Sequence, residues 1–124
     1  MNEEARAAEL IGKMLRKKLY VLISKPLVPP EQLRPLLATH LDYMIGLERR
    51  GLLFASGPLN EADAPRGHGL TILRVKDATE ARRVAEAEPF FAQGLRTFEL
   101  KEWTVMEGTL GVRVNLSDQS VEVA

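Results

Sequence analysis

Residues 19–24 read LYVLIS, a run that carries apolar side chains on both of its alternating faces. A strand of that composition is covered on both sides rather than half exposed to solvent. Two further strands of this kind are predicted, LLFAS at residues 52–56 and LTILRV at residues 70–75. A fourth strand is predicted at residues 96–105, RTFELKEWTV. These four strands and the helices between them decide the fold.

Two helices are predicted between the strands. Pro35 is expected to begin the first helix, because an interior proline removes a backbone hydrogen bond, and Gly51 is expected to end it. The second helix begins at Asp77 in a capping box with Glu80 and ends at Pro89. Apolar residues recur in the first helix at spacings of three and four, namely Leu33, Leu36, Leu37, Leu41, Met44 and Leu47.

The resulting order, strand, helix, strand, strand, helix, strand, is the ferredoxin-like βαββαβ plan of an α+β protein. Its two helices cover one face of a four-stranded antiparallel sheet and leave the other face open. Because the strands are apolar on both faces, the open face would expose more than the few hundred Å² of apolar patch that a monomer tolerates. We therefore expect a homodimer that packs two chains through the open sheet face.

Three segments are predicted along the chain. Residues 1–17 are expected to form an N-terminal helical extension, residues 18–105 the α+β domain, and residues 106–124 a C-terminal β-hairpin extension. Within the domain, residues 59–68 (LNEADAPRGH) are expected to form a polar loop between the second and third strands.

The composition excludes several classes of protein. The chain has 17 Lys and Arg against 17 Asp and Glu, so it lacks the basic surplus that holds a protein to nucleic acid. It has no cysteine and only two histidines, which excludes thiolate metal sites and a three-histidine site from one chain. No phosphate-binding glycine motif is present, so we expect neither metal nor cofactor. The absence of a long apolar run predicts no membrane span and makes the cytoplasm the expected compartment.

His40 is the first candidate for chemistry. It lies three residues after Leu37 and four before Met44, which places it on or beside the apolar stripe of the first helix. Two interpretations stay open at this point. A histidine there is either a core residue hydrogen-bonded to the backbone or an acid/base group facing the sheet.

Glu88 is the second candidate, because it lies four residues after Val84 and continues the buried stripe of the second helix. A carboxylate at a helix C-terminus faces the negative end of the dipole, which costs about 0.3–1 kcal/mol. Such a residue needs a partner, unless the last turn frays and the side chain points into water. Since the two helices of this fold pack side by side, an inward His40 and an inward Glu88 are expected to meet as a general acid/base pair.

These motifs together resemble the YCII-related proteins, a family of small dimeric α+β barrel proteins. The similarity covers about residues 18–105, and the order and spacing of the motifs are more specific than any one of them. In chain order the motifs are LYVLIS, Arg34-Pro35 followed by His40, GLLFASGP at 51–58, GLTIL at 69–73, AEAEPF at 85–90 and the strand that ends at Trp103.

In that family the helix histidine and the acid before Pro-Phe or Pro-Tyr are the proposed catalytic pair, which implies these roles for His40 and Glu88. The family's acid is usually an aspartate, and the extra methylene of Glu88 moves the carboxylate by about 1.5 Å. The resemblance therefore implies a cofactor-free small-molecule enzyme that catalyses an elimination, isomerisation or hydrolysis by proton transfer.

Five further positions are predicted to bind the substrate. Ser56, Gly57 and Pro58 form a turn at the end of the second strand, where the hydroxyl and the glycine let the backbone approach a ligand. Arg34 is expected to bind an anionic group of the substrate, and Phe90 is expected to form a wall of the cleft. His68 is expected to be solvated unless its loop folds over the cleft. Two other functions stay open: a non-catalytic small-molecule-binding module, which needs only the pocket, and a structural dimer whose histidine is packed solid.

Overall fold

The computed structural model describes residues 2–61 and 64–123, and of residues 64–66 only the backbone. The helices are α1 (Glu3–Lys13), α2 (Pro30–Leu33), α3 (Leu37–Arg49), α4 (Ala78–Glu86) and α5 (Pro89–Ala92), with a 3-10 turn at Arg34–Leu36. The strands are β1 (Lys17–Pro26), β2 (Leu53–Glu61), β3 (Ala64–Leu73), β4 (Arg96–Val105), β5 (Val112–Val114) and β6 (Val121–Val123). Within these residues no helix is long and apolar enough to cross a membrane.

Four strands form one antiparallel sheet in the order β2-β3-β1-β4. β3 lies between β2 and β1, and its Leu70 is opposite Ile23 of β1 on one side and Gly57 of β2 on the other. Because β1 and β3 are neighbours in the sheet although the helical segment and β2 lie between them in the chain, the sheet has the crossover expected of the ferredoxin-like plan. The predicted α+β fold class is confirmed.

The chain divides into two compact units, of which Lys18–Thr104 is one and the flanking segments on either side are the other. In the flanking unit, the Asn2 side chain caps α1 by accepting from the Ala5 amide at 2.8 Å. The hairpin β5–β6 also belongs to this unit, and the Leu15 amide donates to the Met106 carbonyl at 3.3 Å. The predicted three-part division into 1–17, 18–105 and 106–124 stays a prediction.

The core of the larger unit lies between the sheet and the helices α3 and α4. Leu47 of α3 and Leu73 of β3 are its largest fully buried side chains, at 1% and 0% exposed. Burying a leucine of this kind stabilises the fold by about 1.5–3 kcal/mol. The other members of the buried cluster are Tyr20, Leu22, Met44, Ala81, Val84 and Ala85.

The segment before α3 is broken by Pro35. This residue lies in the 3-10 turn, and α3 begins at Leu37, two residues later than predicted, because proline has no N–H to donate to the preceding turn. The other end of α3 is as predicted. Gly51 follows it at a φ of +74°, the left-handed conformation that ends many helices, and its amide donates to the Glu48 carbonyl at 3.0 Å.

The prediction of a polar loop at residues 59–68 is wrong. β2 continues to Glu61 and β3 begins at Ala64, so these two residues pair, as do Leu59 and His68. Between those pairs the register shifts by a β-bulge after Leu59. In the longer strands, backbone groups that a loop would leave hydrogen-bonded to water are hydrogen-bonded to each other. The bulge accommodates some of the turn-forming residues of this segment. Residues 62 and 63 lie outside the described residues.

Candidate active site

Glu88 does not lie in the last turn of α4, contrary to the sequence-based interpretation. Its φ of −67° and ψ of 133° are extended, because the residue before a proline avoids the helical region. It is the N-cap residue of α5, and its carbonyl accepts from the Ala92 amide at 2.8 Å. The carboxylate is therefore not opposed by the C-terminal dipole of α4. Its side chain is buried nonetheless, at 3% exposed for the residue.

His40 of α3 meets this carboxylate. Its Nδ1 lies 2.6 Å from Glu88 Oε1, while the imidazole remains 25% exposed and the carboxylate only 4%. The carboxylate form of Glu88 only accepts hydrogen bonds, so in the tautomer that pairs with it Nδ1 carries the proton and donates to Oε1. In the neutral ring, Nε2 is then the basic nitrogen and is the one left for a ligand.

Phe90 fixes the other side of the imidazole. Its ring stacks on His40 with the centroids 4.6 Å apart and the planes inclined by 22°, and Phe90 itself is 5% exposed. Pro89 places Phe90 two residues after Glu88, so one short segment supplies both the carboxylate and the ring that hold His40. This combination restricts the imidazole in position and in tautomer.

A cavity of about 380 Å³ opens beside the pair. That volume is at the lower end of the range for small-molecule sites. His40 and Phe90 line it on the helix side, and Ser56, Gly57 and Pro58 of β2 line it on the sheet side. His40 is thus not packed solid, which argues against the purely structural interpretation of this histidine.

Arg34, the remaining predicted substrate-binding residue, differs in its place from His68, which was expected to be solvated unless its loop folded over the cleft. Arg34 is exposed in the 3-10 turn and is not among the residues that line the cavity. His68 is exposed on β3 and does line it, because β3 replaces the predicted loop and carries this residue along the sheet edge of the cavity.

Arg96, which the sequence analysis did not single out, lies in the cavity wall at the start of β4. Its Nη2 donates to Ser24 Oγ at 2.9 Å and to the Gly67 carbonyl at 2.8 Å. Burial lowers the pKa of the Arg96 guanidinium, and the nearby Glu88 carboxylate opposes that shift. The two groups therefore partly compensate each other's charge within one site.

Strand alternation is the signal that could have found Arg96 and Ser24. Arg96 lies two and four residues before Phe98 and Leu100, which pack against the core. Ser24 likewise follows Tyr20 and Leu22 on the helix-facing side of β1. A polar residue that continues an apolar stripe needs a partner, and here the buried Ser24 and the half-buried Arg96 are partners of each other.

Tyr43 is a second group that the sequence analysis missed. Its hydroxyl donates to the Val84 carbonyl at 2.7 Å and so connects α3 to α4 behind the cavity. Burial raises the pKa of the phenol and the Glu88 charge adds to the increase, while Arg50 and Arg83 oppose it. Tyr43 is therefore a neutral phenol at ordinary pH.

One atom of the pair has no visible partner. Glu88 Oε2 is buried and accepts no hydrogen bond from any residue that the structure describes. Among those same residues, no group of three or more His, Cys, Asp or Glu is placed to hold a metal ion. The chemistry that these side chains offer is proton transfer by a histidine oriented by a carboxylate.

Fold and site together define a small α+β protein with a histidine–carboxylate pair beside a ligand-sized cavity. A sequence model of the YCII-related domain matches residues 17–104, and the chain belongs to the YCII-related domain family. No curated protein matches the chain.

A solved structure shares the fold. The chain is similar to the 5-chloro-2-hydroxyhydroquinone dehydrochlorinase of Burkholderia phenoliruptrix AC1100, determined in complex with 2,5-dihydroxybenzoquinone. The two are 22% identical with a TM-score of 0.56, over 68% of this chain and 93% of the other.

Proposed function

We propose that this protein is a small-molecule enzyme in which His40 transfers a proton and Glu88 orients the His40 imidazole. The observation that carries the proposal is the 2.6 Å contact between His40 Nδ1 and Glu88 Oε1 beside a cavity of about 380 Å³. A carboxylate on Nδ1 leaves Nε2 as the base and stabilises the imidazolium that forms when the ring accepts a proton. Positioned acid/base groups of this kind accelerate reactions by roughly 10²–10⁴-fold.

We favour an elimination over an isomerisation or a hydrolysis. The dehydrochlorinase that shares the fold is named for an elimination, and its structure holds a hydroxylated quinone. In such a step His40 Nε2 takes a proton from the substrate, and the electron pair released expels the leaving group as an anion. The aromatic wall of Phe90, 5% exposed and stacked on His40, suits a planar ring as substrate.

The test is chloride release from 5-chloro-2-hydroxyhydroquinone, the compound in the name of the fold neighbour, followed for the wild type and for His40→Gln and Glu88→Gln. We expect His40→Gln to reduce turnover by about a hundredfold or more, since it removes the proton acceptor. Glu86→Gln is the matched control, because Glu86 is an exposed carboxylate two residues away and its side chain is 62% exposed.

Two results would contradict this proposal. Turnover that is unchanged in His40→Gln would remove the histidine from the reaction, and absence of chloride release in the wild type would count against an elimination of this class. Binding of 2,5-dihydroxybenzoquinone by the wild type without any turnover would instead favour the alternative, a small-molecule-binding module that uses the cavity alone.

We further propose that the functional unit is a homodimer formed through the open sheet face. Strand alternation puts Ile23, Leu59 and Trp103 on the face opposite the core, and they are 39%, 40% and 39% exposed. Large apolar side chains on three strands of one sheet face favour a second sheet as their cover.

Light scattering on the eluted peak of a sizing column tests the dimer. We expect the wild type to have twice the 13.8 kDa chain mass and Ile23→Glu to have the mass of one chain. Ile45→Glu on α3 is the control, since Ile45 is 44% exposed and does not lie on the sheet. A monomeric wild type at micromolar concentration would contradict the proposal.

A further inference from the structure

The cavity holds a guanidinium that the acid/base mechanism does not use. Both hydrogen bonds of Arg96 to described residues come from Nη2, at 2.9 Å to Ser24 Oγ and 2.8 Å to the Gly67 carbonyl. An arginine carries five N–H donors, and Nη2 supplies two of them. The three N–H groups of Nη1 and Nε thus have no acceptor among the described residues.

The guanidinium is also positioned rather than mobile. Ser24, 8% exposed, and the Gly67 carbonyl hold the same nitrogen from two strands, β1 and β3. The Glu88 carboxylate acts on Arg96 through its charge rather than through a direct ion pair. A fixed cation with unused donors, at the wall of a ligand-sized cavity, matches the requirements for recognising an ionised oxygen.

Gly69 provides the space for this arrangement. A Cβ added to Gly69 would lie 2.8 Å from Ser24 Oγ and 3.5 Å from Arg96 Nη2. The first distance is shorter than real Cβ contacts, so a Cβ at this position would push the hydroxyl from its place and break one of the two hydrogen bonds that hold Arg96. The absence of a side chain at Gly69 is thus a condition of the Ser24–Arg96 contact.

We propose that Arg96 is the anion-binding residue of the cavity and that the ligand is a small organic anion, whose carboxylate or phenolate-type oxygen the free N–H groups of Arg96 bind. This assignment rests on the proposed function, since it names the substrate class of the same site. Ser24 is a positioning residue that acts through Arg96. Arg96 thus takes the role that the sequence analysis gave to Arg34, which does not line the cavity.

The test compares benzoate with benzamide, two ligands of nearly the same shape of which only benzoate is charged. NMR titration of the wild type is expected to show benzoate binding at least tenfold more tightly than benzamide. Arg96→Gln should abolish this preference. Arg82→Gln is the matched control, because Arg82 is an exposed arginine on α4 that does not line the cavity, and it should retain the wild-type preference.

Gly69→Ala supplies a second variant, which keeps the charge of Arg96 and removes the Ser24 contact that positions it. We expect it to weaken benzoate at least fivefold and to leave benzamide unchanged, and it keeps the proposal testable if Arg96→Gln does not fold. Equal affinities for the two ligands in the wild type, no benzoate binding at all, or unchanged benzoate affinity in folded Arg96→Gln or folded Gly69→Ala would each overturn the assignment. These readouts are independent of turnover, so the failure of the His40 test and the failure of this one are distinguishable.

Discussion

Removing His40 should destabilise the fold by an amount that depends on Glu88. The Glu88 side chain is 4% exposed, and Oε1 has His40 Nδ1 as its partner at 2.6 Å. Removing the hydrogen-bond partner of a buried carboxylate leaves its oxygen unpaired, which costs about 1–3 kcal/mol or more. Because His40 is itself 25% exposed, water reaches the vacated space and reduces this cost. Adding about 0.5–1.5 kcal/mol for the lost stacking on Phe90, we expect His40→Ala to lower the free energy of unfolding by about 3 kcal/mol.

A double-mutant cycle isolates the contribution of the pair. Glu88→Leu keeps a similar volume and leaves no buried carboxylate, so His40→Ala should cost about 2 kcal/mol less in that background than in the wild type. Urea unfolding, followed by far-UV circular dichroism, measures all four proteins. The control cycle pairs His40→Ala with Glu86→Leu, where the coupling should stay below about 0.5 kcal/mol. A coupling that small between His40 and Glu88 themselves would refute the reasoning.

Three further predictions concern stability. Asp77→Ala removes the side chain that accepts from the Glu80 amide at 2.8 Å, and it should lower the free energy of unfolding by about 1 kcal/mol in urea. An unchanged free energy of unfolding would mean that this cap does not stabilise α4. Gly51→Ala should cost about 1–2 kcal/mol from its φ of +74° alone, since the new Cβ meets nothing within 4 Å, and a stabilised variant would contradict this. The pKa of Tyr43 is raised in the folded state mainly by burial, so its contribution to stability is complete below pH 10.0 and is lost as the pH rises through the raised value. Tyr43→Phe should therefore show a shallower loss of stability above pH 10.0, measured by urea unfolding across alkaline pH, and an equally steep loss would exclude Tyr43 as its source.

The case of Glu88 shows how a correct expectation can rest on incorrect geometry. The helical stripe Ala81, Val84 and Glu88 indicated an inward carboxylate, and the side chain is inward and meets His40. The route differs, because Pro89 forces Glu88 out of α4 into an extended conformation. The predicted cost of a carboxylate at a helix C-terminus assumed a helical Glu88, so it does not apply to the extended residue. A periodicity tells which residues point inward, but not where the helix stops.

Sequence periodicity could not tell which of two arginines, Arg96 or Arg34, lines the cavity. Both are arginines beside predicted elements, and the sequence analysis selected the one that is exposed. Arg96 lines the cavity because β4 pairs next to β1, which brings Ser24 within 2.9 Å of it across a separation of 72 residues. Contacts at that separation depend on strand order and register, which the local pattern around Arg96 does not contain.

Local periodicity and the positions of proline and glycine were enough to predict the order of strands and helices, the apolar faces that pack them, and the inward positions of His40 and Glu88. The sequence also excluded thiolate chemistry outright, because the chain has no cysteine. The 2.6 Å contact and the place of Arg96 in the cavity came from the folded chain, because they join residues 48 and 72 positions apart. The extension of β2 and β3 into the expected loop is a local pairing of Glu61 with Ala64, and there the backbone ladder of the whole hairpin outweighs the turn preference of single residues.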